Sequence, residues 1–262
     1  MALDDGIVTA EYLRQTAERI RALKELSYAR MNIAPGDRVL DAGCGPGVDT
    51  VPLARRVGAD GKVYALDSDP AMLDAARQQA HSAGMAERIE HLHGSALAIP
   101  LADATVDSCR AERLLQVLPP ELERGVVAEL VRVTKPGGRI VIADTDWGSA
   151  SVDFSDSALE RRLMTFFATQ MRPNGFAGRR AAALLRPHAV DGISVELLPL
   201  LQQRLDDTPF GTWLTDTALR ERIIDQAEAT AWLDELGVRE REGNFFATAT
   251  MVVVAAGRTQ HA

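Results

Sequence analysis

The sequence has little cysteine, no long apolar run and no excess of positive charge. Its two cysteines, Cys44 and Cys109, fall in no spaced metal or redox motif and are too few for a disulfide framework. That usage fits a reducing cytoplasm, the expected location. The longest apolar tract, residues 251–256, has the length of a strand rather than of a membrane span, so no membrane partner is expected. The first residues, MALDDGIVTAEYL, lack the basic start and apolar core of a secretory signal. Lys and Arg total 29 against 37 Asp and Glu, and the net charge of -8 argues against a surface that grips nucleic acid through its phosphates. A small-molecule partner is the expectation that remains.

What is present is a regular alternation. Residues 9–31 read as a helix, with Leu13, Ala17, Ile20, Leu23 and Leu26 at helical spacing. Pro35-Gly36 breaks the chain before a first strand at 38–41, and a short helix at 50–57 follows a glycine-rich loop. A second strand at 62–66 leads to Ser68-Asp69-Pro70, an N-cap residue followed by proline at the first helical position. That helix stops near Gly84. Further strands are expected at 89–93, 107–111 and 139–144, with a helix at 120–134 before the turn Lys135-Pro136-Gly137-Gly138. Strands alternating with helices of this length indicate a parallel sheet covered on both faces. After Asp146 the alternation lapses into a mostly helical stretch, 151–185, interrupted at 172–180. A sixth strand at 194–198, a helix at 218–236 and a last strand at 245–255 complete the chain.

The loop in VLDAGCGPGVDT decides what this sheet holds. Gly43 and Gly45 fit the first two positions of the dinucleotide pattern G-x-G-x-x-G, but its third position falls on Val48, and the extra glycine is Gly47. Pro46 removes an N–H that a pyrophosphate would use, and Asp41 puts negative charge beside it. A phosphate ligand is disfavoured, and with it a nicotinamide oxidoreductase. A ligand with an ammonium and no phosphate suits the loop better, with Asp41 serving the ammonium and loop amides the carboxylate. Asp67 ends the second strand, 20 residues past Gly47, the spacing at which an acid meets ribose hydroxyls.

In order, VLDAGCGPG, VYALDSDPAML, GSALAIPLADATVD, RAERLLQVL and LVRVTKPGGRIVIAD resemble the class I S-adenosylmethionine-dependent methyltransferases, and the flanks resemble their bacterial small-molecule branch. The resemblance implies an α/β fold, a Rossmann-like doubly wound, mostly parallel seven-stranded sheet with an N-terminal helix and a helical cap inserted after strand five. Residues 1–262 would form one domain, comprising an N-terminal helical segment (1–35), a cofactor core (36–146), the cap (147–190) and the rest of the sheet (191–262). It implies S-adenosylmethionine as cofactor, with Gly43, Cys44, Gly45 and Gly47 along its methionine part and Asp67 on its ribose. Ser68 and Met72 would lie by ribose and adenine. Where many relatives read Gly-Asp-Ala, with the aspartate on the adenine amino group, this chain has Gly94-Ser95-Ala96. A serine accepts without the gain from charge, or adenine turns to the Ala96 backbone.

The remaining candidates divide between function and packing. Glu112 and Gln116 follow strand four, where the loop faces the transferred methyl, or simply begin a solvated helix. Tyr12 closes over the cofactor or packs on the core. Asp146, Trp147, Arg172, Asn174 and Arg179 are candidate substrate contacts in or near the cap. His188, Asp144 and Glu112 are candidates for a base if the acceptor must lose a proton. His91 and His93 share a strand face but have no third ligand at sensible spacing, so no metal is expected. The expected reaction is methyl transfer to an oxygen, nitrogen or carbon of a small molecule. Two alternatives keep the same cofactor blocks: a non-methylating reaction such as cyclisation, and an RNA methyltransferase.

Overall fold

The computed structural model describes residues 20–260. Helix α1 (Arg21–Met31) precedes strand β1 (Arg38–Ala42), and α2 (Thr50–Val57) follows the glycine loop. Then come β2 (Lys62–Asp67), α3 (Pro70–Ser82), β3 (Ile89–His93), β4 (Val106–Glu112) and α4 (Glu123–Val133). The second half holds β5 (Thr134–Val152), α5 (Ser157–Phe166), α6 (Ala177–Leu185) and β6 (Val190–Gln202). Helices α7 (Thr212–Arg220) and α8 (Gln226–Arg241) lead to β7 (Ala247–Arg258).

The seven strands form one sheet in the order β3-β2-β1-β4-β5-β7-β6. Strands β1 to β5 pair in parallel, and β7 runs antiparallel between β5 and β6. This is the doubly wound, Rossmann-like arrangement. The chain moves outward from β1 to β3 and then returns to β4, so the loops leaving β1 and β4 diverge and open a crevice between them. Helix α3 begins where its sequence predicts: Asp69 accepts from the Ala71 amide at 2.8 Å, with Pro70 in the first turn.

Both faces of the sheet are covered. On one, Val126, Leu130 and Ala181 of α4 and α6 meet Leu40, Ile142 and Val254. On the other, Leu23, Leu53 and Leu73 of α1, α2 and α3 meet Val39, Val141 and Val253. A third core lies around the carboxyl end of β5, where Trp147, Leu163 and Phe167 pack with Phe210, Leu214, Trp232 and Phe245.

That third core corrects the expected cap. It is built from two segments, around 147–168 and 210–249, rather than from 147–190 alone, and α6 leaves it to cover the sheet. The helix expected at 218–236 is two helices. Arg222, at φ 58°, turns the chain, and the capping box of Asp225 and Glu228 restarts it. Strands β5 and β6 are also longer than their apolar runs suggest, because β7 supplies backbone partners along both.

Candidate active site

The crevice holds a cavity of about 470 Å³, within the range of small-ligand pockets. Its floor is the β1–α2 loop. Gly43, Gly45 and Gly47 sit at φ 74°, 53° and 80°, which glycine adopts without strain. The amides of Gly43 and Cys44 both donate to the Leu66 carbonyl, at 2.8 and 2.9 Å. The Gly45 amide donates to Asp67 Oδ2 at 2.8 Å, and the Asp69 amide to Asp67 Oδ1 at 2.9 Å. These bonds correct the expectation that loop amides face an anion: the first three are spent on β2, and Pro46 has none. They also fix the Asp67 carboxylate on the cavity wall, where each oxygen keeps a free lone pair.

Of the expected cofactor residues, Gly43, Cys44, Gly45, Asp67, Ser68, Met72, Ser95, Ala96 and Glu112 line this cavity. Gly47 does not. A Cβ there would stand 2.9 Å from the Ala76 Cβ and 3.0 Å from its Cα, so this glycine lets α3 approach the loop. Asp41 lies beneath the wall, buried. Ser95 Oγ already accepts from the Leu97 amide at 3.1 Å. Tyr12 lies outside the described residues.

Below the end of the cavity formed by the β1–α2 loop runs a buried charge network that sequence spacing does not reveal. Lys24 of α1 donates to Asp49 at 2.8 Å and to Glu112 at 2.6 Å. Arg110, fully buried in β4, contacts Asp41 at 3.3 Å and Asp49 at 3.2 Å, and it pairs with Glu112. Its Nε donates to Ser27 Oγ at 2.9 Å, and Tyr28 donates its hydroxyl proton to Asp49. Burial pushes Asp41 up to about 6 despite Arg110, and lowers Lys24 to about 8 against the pull of Asp49. Burial would raise Asp49 too, but Arg110 and Lys24 outweigh it and hold this carboxyl well below its usual range. Two cations, Lys24 and Arg110, face three carboxylates, Asp41, Asp49 and Glu112, leaving one negative charge in the ionised cluster. Asp41 Oδ2, buried, has no hydrogen-bond partner among the described residues. A cluster short of one cation, with an orphaned carboxylate oxygen, fits a ligand that brings an ammonium.

The expected substrate residues do not reach the cavity. Gln116 Oε1 accepts from Trp147 Nε1 at 2.7 Å, and Arg172 lies 4.7 Å over the ring centroids of both Trp147 and Phe167. Asp146 accepts from Arg179 at 2.8 Å, while buried Asn174 donates to the Leu115 carbonyl at 3.0 Å and bonds to Glu123. These groups knit the loop after β4 to the cap and to α6. The base candidates fare similarly. Asp144 is buried and accepts from the amides of Leu115 and Gln116 at 2.8 and 3.2 Å; burial pushes it up to about 7 against those donors. It caps the turn after β4 and does not line the cavity. His188 precedes β6, at the opposite edge of the sheet, too far round the fold to face the crevice. Glu112 does line the cavity, but both its oxygens are engaged by Lys24 and Arg110.

The sequence profile of a family described as a methyltransferase domain matches residues 39–138. The chain is 30% identical over 257 residues to an uncharacterized 37.1 kDa transposon protein of Streptomyces fradiae, covering 95% of this chain and 71% of that protein. Its fold is similar to that of geranyl diphosphate C-methyltransferase from Streptomyces coelicolor, with a TM-score of 0.58 and 18% identity, covering 91% of this chain and 79% of the other. That protein was crystallised with Mg2+, geranyl diphosphate and S-adenosyl-L-homocysteine.

This chain belongs to the class I S-adenosylmethionine-dependent methyltransferases.

The methyltransferase is also 34% identical over 128 residues to a demethylmenaquinone methyltransferase of Bacillus mycoides, covering 49% of this chain and 53% of that enzyme, so it spans about half the length of that relative. Among the described residues no helix is long and apolar enough to cross a membrane.

Proposed function

We propose that this methyltransferase moves a methyl group from S-adenosylmethionine to an oxygen, nitrogen or carbon of a small molecule in the crevice between β1 and β4. The observation that carries this reading is the Asp67 carboxylate, anchored at the end of β2 by two amides and turned to the cavity. Asp67 holds the ribose hydroxyls, Ser68 and Met72 lie beside ribose and adenine, and Ser95 with Ala96 meets the adenine edge. Gly43, Cys44 and Gly45 flank the methionine part. Lys24, on the cavity wall on that side, serves the cofactor's carboxylate, while the excess negative charge of the cluster, with Glu112 on the wall and Asp41 beneath it, draws the ammonium to that end.

When bound, the cofactor would supply a methyl group on a sulfonium whose sulfur departs as a neutral thioether, S-adenosylhomocysteine, as the acceptor takes the methyl. The chain's own part is to orient and to exclude water. Among the described residues no histidine lines the cavity, and its carboxylates are committed to amides or cations. Positioning therefore carries more of the catalysis than proton removal. The domain works as one unit, with cap and sheet folded together. The net charge of -8 supports a small acceptor over nucleic acid, and the two free, buried cysteines support a cytoplasmic setting. A screen of acceptors with methyl-labelled cofactor tests the reading: label in small products supports it, and label found only in macromolecules overturns it.

A further inference from the structure

Arg113 is the first residue past β4, and its backbone sits at φ 54°, a left-handed conformation that costs a side-chain-bearing residue roughly 1–2 kcal/mol. Asn32, Ala104 and Arg222 share that region of φ, but none of them lines the cavity, whereas Arg113 does. The strained conformation is pinned: the Arg113 amide donates to the Ala143 carbonyl of β5 at 2.8 Å. The turn it makes lays Leu114 against Gly43, where a Cβ would stand 3.0 Å from Leu114 Cδ1.

The guanidinium it presents forms no hydrogen bond or ion pair among the described residues; the carboxyl that feels its charge is Asp144, which is buried, bonded to backbone amides and off the cavity wall. Its neighbours differ. Lys24 is held by Asp49 and Glu112, and Arg110 is sealed inside the network. Arg113 belongs to the β4 side of the crevice, whereas Asp67 ends β2 and Ser95 follows β3, on the far side of β1. The wall around Arg113 is apolar, formed by Leu114, Val117 and Leu118. A planar fork of donors left unpaired beside apolar surface matches a carboxylate or phosphate carried on an apolar body.

We propose that Arg113 binds the anionic end of the methyl acceptor, so that the acceptor is an apolar small molecule bearing a carboxylate or a phosphate. This rests on the methyl-transfer reading. The backbone strain at position 113 is tolerated because it aims this side chain, and glycine, which would relieve it, offers no charge.

The test titrates the protein, saturated with S-adenosylhomocysteine, with octanoate, octyl phosphate and octanamide. One of the two anions should bind at least about tenfold more tightly than the amide, and which one does identifies the recognised group. Arg113→Gln should weaken that anion at least about tenfold and leave S-adenosylhomocysteine binding within about twofold. Arg113→Gly should lose the anion equally while keeping or raising Tm, which a purely structural arginine would not allow. Octanamide binding as well as the anions, or no probe binding, overturns the proposal. Loss of S-adenosylhomocysteine binding in Arg113→Gln also overturns it, by assigning the arginine to the cofactor. Failure of the wild-type protein to bind S-adenosylhomocysteine would sink the methyl-transfer reading itself, and the proposal with it.

Discussion

The two sides of the sheet's carboxyl edge carry similar polar residues and use them differently. Beyond β5, polar side chains close on one another: Gln116 with Trp147, Asp146 with Arg179, Asn174 with Glu123 and the Leu115 carbonyl. Around β1, β2 and β4 the Lys24–Arg110 network closes in the same way, but the groups nearest the cavity do not: Asp41 Oδ2 accepts no hydrogen bond, Asp67 keeps lone pairs toward the cavity, and Arg113 forms no hydrogen bond or ion pair among the described residues. A closed network specifies how the cap docks. An open one costs stability and is retained where a ligand completes it.

The comparison breaks most visibly at Arg110. Arg110→Met leaves Asp41, Asp49 and Glu112 buried around one lysine, and about 3–5 kcal/mol of stability should be lost in denaturant titrations. A loss under 1 kcal/mol would mean that the network is not cohesive. Next comes pH. Asp144 and Asp41 are both raised in the folded state, to about 7 and about 6, so the stability tied to their protons is complete near pH 4 and falls as pH rises through those values. Each pKa unit is worth about 1.4 kcal/mol, so the decline between pH 5 and 8 should amount to a few kcal/mol, and Asp144→Asn should flatten its upper part. Asp49, held low, acts oppositely and destabilises only in stronger acid.

Smaller effects sharpen the contrast. Gly47→Ala meets both a positive φ and the Ala76 backbone, and should cost about 1–2 kcal/mol although Gly47 lies off the cavity wall. Trp147→Phe deletes the donor to Gln116 and should cost about 1 kcal/mol, with S-adenosylhomocysteine affinity unchanged in calorimetry. A large affinity loss in that variant would move the cap into the cofactor site.

Much of the cofactor half was legible in sequence because its signals are local. The glycine loop, the Asp69-Pro70 helix start and the strand 89–93 each follow from a few adjacent residues, and Asp67 from spacing to the loop. The charge network was not, since it joins α1, β1, the loop before α2 and β4 across 88 residues of sequence. A signal existed: an arginine inside a central strand flanked on both sides demands a buried partner, and Lys24 sits between Ile20 and Tyr28 on the inward stripe of α1. The cap was misread for a different reason. Its core joins segments some 60 residues apart, around Phe167 and Trp232, and helical periodicity says nothing about which helices meet.

The central claim is that the cavity on the Asp67 side holds S-adenosylmethionine. Isothermal titration with S-adenosylmethionine, S-adenosylhomocysteine and NADH, repeated with Asp67→Ala, tests it most directly. The account predicts binding of the first two, no binding of NADH, and at least about a tenfold loss of affinity in the variant, which is about 1.4 kcal/mol. Tight binding of NADH, or cofactor affinity unchanged by Asp67→Ala, would contradict it.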